Sequence, residues 1–464
     1  MKTQPLILGF CLVLSAGACR AEMAMTAWTA HYDGPGKGKD NAQALAVDAA
    51  GNAYVTGFSD GGEGNYDFAT VKYDAQGKQV WVARYDGDAQ GADRPVAIAV
   101  EADGSVIVAG SSAGKDTGSD FAMVKYDPDG NQLWASRYDG PGHGNDSLKA
   151  LAVDPDGNVY VTGESPGEDG AAESASLKYG PDGDLLWAAR TGSAGAVQSL
   201  ADIACDAEGH VYVTGRARRG ARNVDFVTIK YDPAGQVIWT AHRNWSVHDD
   251  ARYLAVDEAG NVYVAGDIVS HTEGPEKIAH QDMGLVKFGP DGRELWTVSF
   301  NGGEASNEVA AGLRLGPEGH VYLSGTTLPA GQADSQSPPP AEFVTAEYDT
   351  DGALLWTARH EGLEQSVSMA QGLALDADGN AYVLASERGS PGRSPLLALI
   401  KFGPQGDERW VVGHAGVATA AGGVVAGADG TVWIAGSDAG DNDYLIAKYF
   451  QSETSVSKNT SGDR

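Results

Sequence analysis

The chain has 464 residues, 63 glycines and a formal net charge of −30. That acidity excludes broad binding to nucleic acid, which needs clustered cations against phosphate, and disfavours adhesion to anionic lipid headgroups. Of three cysteines, Cys11 and Cys19 lie near the start and only Cys205 is internal, so a disulfide framework is excluded and the fold must rest on its core.

Residues 1–25 read as an export signal. Met1-Lys2 supplies a positive start, and residues 6–14 form an apolar run too short to span a bilayer. Leu14-Ser-Ala-Gly-Ala18-Cys19 resembles the processing site of bacterial lipoproteins, which implies a lipid on Cys19. Ordinary secretory cleavage near Ala18 or Ala21 is the alternative. The first outcome places the protein in the periplasm or at the outer membrane or cell surface, touching membrane only through its lipid. The second makes it a secreted protein.

Residues 26–450 repeat one pattern. Ala150-Leu-Ala-Val-Asp154-Pro-Asp-Gly157-Asn-Val-Tyr-Val-Thr-Gly163 alternates small or β-branched residues around an Asp-Pro-Asp-Gly turn, the pattern of a tight hairpin. The turn glycine recurs at Gly51, Gly104, Gly157, Gly209, Gly260, Gly319, Gly379 and Gly430. Tryptophans recur at 28, 81, 134, 187, 239, 296, 356 and 410, and aromatic residues at 73, 126, 179, 231, 288, 348, 402 and 449. Three series agree on eight copies. Each copy holds four short strands, which in the third copy are 147–154 (A), 158–163 (B), 173–180 (C) and 184–190 (D). Four antiparallel strands per unit predict an all-β fold, an eight-bladed β-propeller in which stacking buries both faces of every blade. Tryptophan on the outer strand D is expected to fill the wedge between diverging blades. The chain starts on a lone D strand, Ala27-Trp28-Thr29-Ala30-His31-Tyr32, and ends after a C strand, so the first strand is predicted to join the last three and close the ring. Residues 451–464, polar and rich in Ser and Thr, are expected to be a disordered tail.

The unit Asp120-Phe-Ala-Met-Val-Lys-Tyr126-Asp-Pro-Asp-Gly130-Asn-Gln-Leu-Trp134, continued through residue 163, resembles the SBBP repeat, a bacterial β-propeller repeat. The resemblance covers roughly residues 26–450 and implies a fold; that family has no common catalytic motif. Asp127-Pro-Asp-Gly-Asn-Gln-Leu-Trp134 is also similar to the tryptophan-docking motif of eight-bladed quinone-dependent dehydrogenases, one residue shorter and without Thr-Gly. A non-catalytic lipoprotein of outer-membrane assembly carries the same motif.

Loops joining D to A and B to C share one rim, and the tight A–B and C–D turns the other, so binding is expected on the first. Asp33–Asp40, Asp86–Asp93 and Asp139–Asp146 pair carboxylates around glycines, a spacing that could hold calcium; their assigned role is to shape the turns, and no metal or cofactor is expected. Arg216, Arg218, Arg219 and Arg222 form a compact cationic group in an acidic chain and are the candidate partner contact. Insertions at 267–282 and 326–342 extend the same rim. Cys205 reads as a small core residue. No nucleophile elbow, His-Glu-x-x-His or phosphate loop is present. The expected function is therefore a monomeric, non-catalytic binding or assembly scaffold that meets a protein or glycan partner at the loop-rich rim. A propeller enzyme, either a glycan-acting hydrolase or a quinoprotein, is the alternative.

Overall fold

A computed structural model describes residues 21–454 apart from 63–64, 193–196, 220–222, 246–247, 272–278, 304–305, 330–339, 363–366, 389–394 and 441. Cys19 and residues 455–464 lie outside the described residues. Among those described, 32 strands form eight four-stranded antiparallel sheets. Blade 3 shows the pattern: A is Ser147–Val153, B Val159–Glu164, C Ser174–Tyr179 and D Leu185–Thr191, paired in chain order. The A strands of neighbouring blades touch all round the ring and line its axis.

The ring closes as the order of the copies predicts. Ala21–Tyr32 pairs antiparallel with Tyr444–Thr454, placing Trp28 opposite Lys448 and Tyr32 opposite Tyr444. The ladder runs further than the sequence pattern suggested. Ala21 faces Thr454, so the paired strands include residues 21–25 and 451–454, which the sequence pattern had assigned to signal and tail. Side chains fasten this extension to blades 7 and 8. The Lys401 ammonium reaches Glu22 at 3.0 Å and Gln451 at 2.6 Å, and the Gln451 amide donates to the Gly430 carbonyl at 2.7 Å.

Eight buried clusters, one at each junction between blades, make up the core. Val55, Val71 and Tyr73 of blade 1 pack on Trp433, Tyr444 and Ile446 of blade 8, for example, and Val213 and Ile229 of blade 4 pack on Tyr160 of blade 3. A blade thus has two apolar faces and is covered only by its neighbours.

The hairpin turns are capped by their own aspartates. Asp154 accepts from the backbone of Asp156 and Asn158, from the Asn158 side chain and from the Tyr160 hydroxyl at 2.7–3.0 Å. These donors outweigh burial and hold its carboxyl below the usual range. The Lys178 ammonium lies 5.1 Å from the centre of the Tyr160 ring, and the same lysine–aromatic stack recurs in blades 1, 4, 5, 7 and 8. In blade 6, where Glu347 replaces the lysine, His320 lies 2.7 Å away and takes up the carboxylate.

The tryptophans pack against the apolar clusters between blades, as expected, and also bolt one blade to the next. Seven of them stay half-exposed on strand D. Each lies on the left-handed glycine of the following C–D turn and donates its indole N–H to a carbonyl in that turn. Trp81 bonds the Pro128 carbonyl at 3.0 Å and Trp134 the Pro181 carbonyl at 2.9 Å. A Cβ added at Gly130 or Gly183 would come within 2.7 Å of the ring above it. Trp28, Trp187, Trp239, Trp296 and Trp356 repeat the bond. Trp410 faces blade 8, whose C and D strands come from opposite ends of the chain and share no turn. Its indole is 8% exposed and its N–H has no partner.

Candidate functional site: the loop-bearing rim

Each D–A loop of the first three junctions is held by the aspartate that opens the next A strand. Gly34 N donates to Asp40, Gly87 N to Asp93 and Gly140 N to Asp146, at 2.7–2.8 Å, and all three carboxylates are fully buried. An arginine three residues after the tryptophan crosses to the acid that opens strand C or precedes it. Arg84 meets Asp67 at 2.6 Å, Arg137 meets Asp120 at 2.8 Å and Arg190 meets Glu173 at 3.0 Å. The same arginines bond Ser59, Ser112 and Ser165. The Asp and Gly residues therefore shape the turns, as their spacing suggested.

These anchors also gather carboxylates. One oxygen each from Asp33, Asp40 and Asp443, from Asp67, Asp86 and Asp93, and from Asp120, Asp139 and Asp146 lies within 4.8 Å of the other two in its group. The first two carboxylates of each group were visible as a loop spacing. The third comes from strand C or the residue before it, a neighbour that only the blade brings into place.

Arg216 and Arg218, two residues apart, share one face of strand B of blade 4, Val211–Arg219, which Arg219 ends; Arg222 lies outside the described residues. Arg216 is half-buried and lines a cleft of about 260 Å³ with Glu164 and Glu173 of blade 3, whereas Arg218 is exposed. One of the four thus faces acids of its own chain.

The axis carries a second regularity. Seven A strands have a register shift at one residue, and the skipped residues are Gln43, Val96, Lys149, Ala201, Arg252, Ala311 and Gln371. A bulge leaves its residue outside the ladder; Val96, Lys149, Arg252 and Gln371 are exposed beside the axis. Charge there is paired: Arg252 reaches Asp267 at 2.5 Å. Burial pushes Asp202 up to about 6, and it accepts from Leu254 N at 2.8 Å and Ile203 N at 2.9 Å, stapling blade 4 to blade 5. Burial likewise pushes the Cys205 thiol up to about 12, so it carries no thiolate at neutral pH. The docking motif that resembled quinone-dependent enzymes is accounted for by the tryptophan-on-glycine joint between blades. Among the described residues no helix is long and apolar enough to cross a membrane.

Comparison with known proteins bears on the fold. The regulatory protein FlaEY of Caulobacter vibrioides is 27% identical over 173 residues, 35% of this chain and 18% of that protein. An uncharacterized WD repeat-containing protein of Acanthamoeba polyphaga mimivirus is 22% identical over 203 residues, 32% of this chain and 14% of its own length. The chain therefore spans less than a fifth of either relative. The beta-propeller domain of the trilobed protease from Pyrococcus furiosus covers 80% of this chain with 98% of its own, at 10% identity and a TM-score of 0.41. Residues 136–170, from strand D of blade 2 into the B–C loop of blade 3, match the model of the SBBP beta-propeller repeat, so an SBBP repeat sits within this eight-bladed ring.

Proposed function

We propose that the protein is an exported binding or assembly scaffold, anchored through a lipid on Cys19, that presents its loop-bearing rim to a protein or glycan partner. One observation carries this reading. Most ionisable groups of the described rim and turns are tied up in structural contacts: Arg84, Arg137 and Arg190 in ion pairs within their own blades, the turn aspartates in capping, and Asp202 as an inter-blade staple. An enzyme needs several such groups free around one pocket. The loop rim instead offers exposed cations, Lys37, Lys39, Lys115 and Arg218, on a chain that is otherwise acidic.

Amine crosslinking of intact cells followed by mass spectrometry tests this. Links from a partner should fall on Lys37, Lys39 and Lys115 and not on Lys78 of the tight-turn rim. Arg218→Glu, at an exposed position, should reduce those links with no change in melting temperature. Links confined to Lys78, or unaltered by the variant, would reject the assignment of the rim.

A further inference from the structure

We propose that the junction between blades 2 and 3 binds a hard divalent cation, calcium by preference, through Asp120, Asp139 and Asp146. Asp120 lies in strand C of blade 2 (Gly118–Tyr126), Asp139 directly follows strand D (Gln132–Tyr138), and Asp146 directly precedes strand A of blade 3. Each carboxylate has one oxygen occupied. Asp120 Oδ2 accepts from Arg137 at 2.8 Å and from Thr117 at 3.1 Å, Asp139 Oδ2 meets His143 Nδ1 at 2.5 Å, and Asp146 Oδ2 accepts from Gly140 N at 2.8 Å. The Oδ1 atom of all three is buried and has no hydrogen-bond partner. Asp146 is 0% and Asp120 4% exposed, so water does not satisfy these oxygens from the surface.

A comparison of junctions explains the deficit. At the two preceding junctions the second oxygen of the buried aspartate takes a backbone N–H from the end of strand B or the residue after its serine: Asp60 N donates to Asp40 Oδ1 at 3.1 Å and Ala113 N to Asp93 Oδ1 at 3.0 Å. These donors follow Ser59 and Ser112, which bond Arg84 and Arg137. The matching serine of blade 3 is Ser165, bonded by Arg190, and the residue after it is Pro166. Proline has no N–H to give. Asp146 keeps its buried carboxylate and loses the donor that its two counterparts have. The repulsion of Asp120 and Asp139 adds to burial and pushes Asp146 up to about 6, against the pull of Gly140 N and the Ser165 hydroxyl.

The chemistry selects the ligand. Three carboxylates beside the Arg137 guanidinium and the His143 imidazole leave an excess of negative charge, which a divalent ion offsets. An all-oxygen donor set suits calcium. Asn145 and Pro166 line the cleft of about 260 Å³ beside the cluster, which gives a route of entry. The ion would join strands C and D of blade 2 to strand A of blade 3, acting where a backbone hydrogen bond acts at the other junctions.

Calcium titration of the full chain at pH 7.5, read by calorimetry and by thermal melting, tests the proposal. Wild type should bind with a midpoint of about 0.1–1 mM, as expected for an extracellular-type site. At 10 mM calcium the melting temperature should rise by about 3 °C. Asp139→Asn, at a half-buried loop position, should melt like wild type in chelator and bind at least about tenfold more weakly. Pro166→Ala should restore the missing N–H, stabilise the calcium-free protein and weaken calcium binding. No calcium-dependent heat or melting shift in wild type overturns the site. Binding that is unchanged in both variants places the ion elsewhere and overturns it as well.

Discussion

Deleting Ala21–Tyr32 will cost at least about 5 kcal/mol, on the order of the whole stability of a typical domain, and will make the protein aggregate. The segment is the outer strand of blade 8. Without it, Tyr444–Thr454 becomes an edge with a full row of unpaired backbone groups, because its partners from Ala21 to Tyr32 are gone. Tyr32 also leaves the cluster it forms with Val71, Tyr444 and Ile446, and Trp28 leaves Gly77 and the Ala75 carbonyl of blade 1. Both neighbours of the seam lose cover at once, so unfolding should lose its single cooperative transition. Urea denaturation and light scattering measure the two effects. A monomeric deletion variant with an unchanged midpoint would mean that the first strand does not hold the ring together.

Gly130→Ala will destabilise by about 2–4 kcal/mol. The residue has φ +87°, where a side chain costs roughly 1–2 kcal/mol. Its new Cβ would also sit 2.7 Å from the Trp81 ring, so the joint must open, at a further cost of about 1–3 kcal/mol. Trp81→Ala should cost about 2–4 kcal/mol through the same joint, less than a fully buried tryptophan, because the indole is half-exposed. Trp410→Phe makes the contrast. The indole N–H of Trp410 is buried without an acceptor, so losing it should cost less than about 1 kcal/mol. Chemical denaturation of these variants gives the comparison. Trp81→Phe, which keeps much of the bulk and loses the bond to the Pro128 carbonyl, should cost more than Trp410→Phe, and equal losses in these two would show that the tryptophans act by bulk alone.

The count of blades and the order of strands were legible because Trp, Tyr and turn Gly recur together, and each has a fixed place in a blade. Glu347 breaks the lysine series without breaking the fold, since His320, directly before strand B of that blade, bonds the carboxylate. What the pattern could not give is contact between residues far apart in sequence. The ends of the closing ladder were set several residues short because Glu22 and Gln451 find their partners, Lys401 of blade 7 and Gly430 of blade 8's hairpin turn, only in the folded ring. Trp134 packs on the cluster between blades 2 and 3, as its size suggested, but its seat on Gly183 of another repeat was not legible. The arginine group looked continuous in sequence. On the strand, Arg216 and Arg218 share a face, and Arg216 falls in a cleft with Glu164 and Glu173 of the neighbouring blade. The orphan oxygen of Asp146 has a sequence trace, visible once the copies are superposed: Ser59-Asp60, Ser112-Ala113 and Ser165-Pro166 occupy one position, and only the last cannot donate.

The ring stands or falls on its first strand meeting its last. Met25 and Phe450 face each other across that ladder and are 45% and 40% exposed, so each accepts a cysteine without disturbing the core. Met25→Cys with Phe450→Cys, treated with a short bis-maleimide, should give an intramolecular link in the folded monomer, seen as a faster-migrating band and as one crosslinked peptide pair. Neither single variant should give it. A double variant that links only between molecules, or not at all, would contradict closure by Ala21–Tyr32.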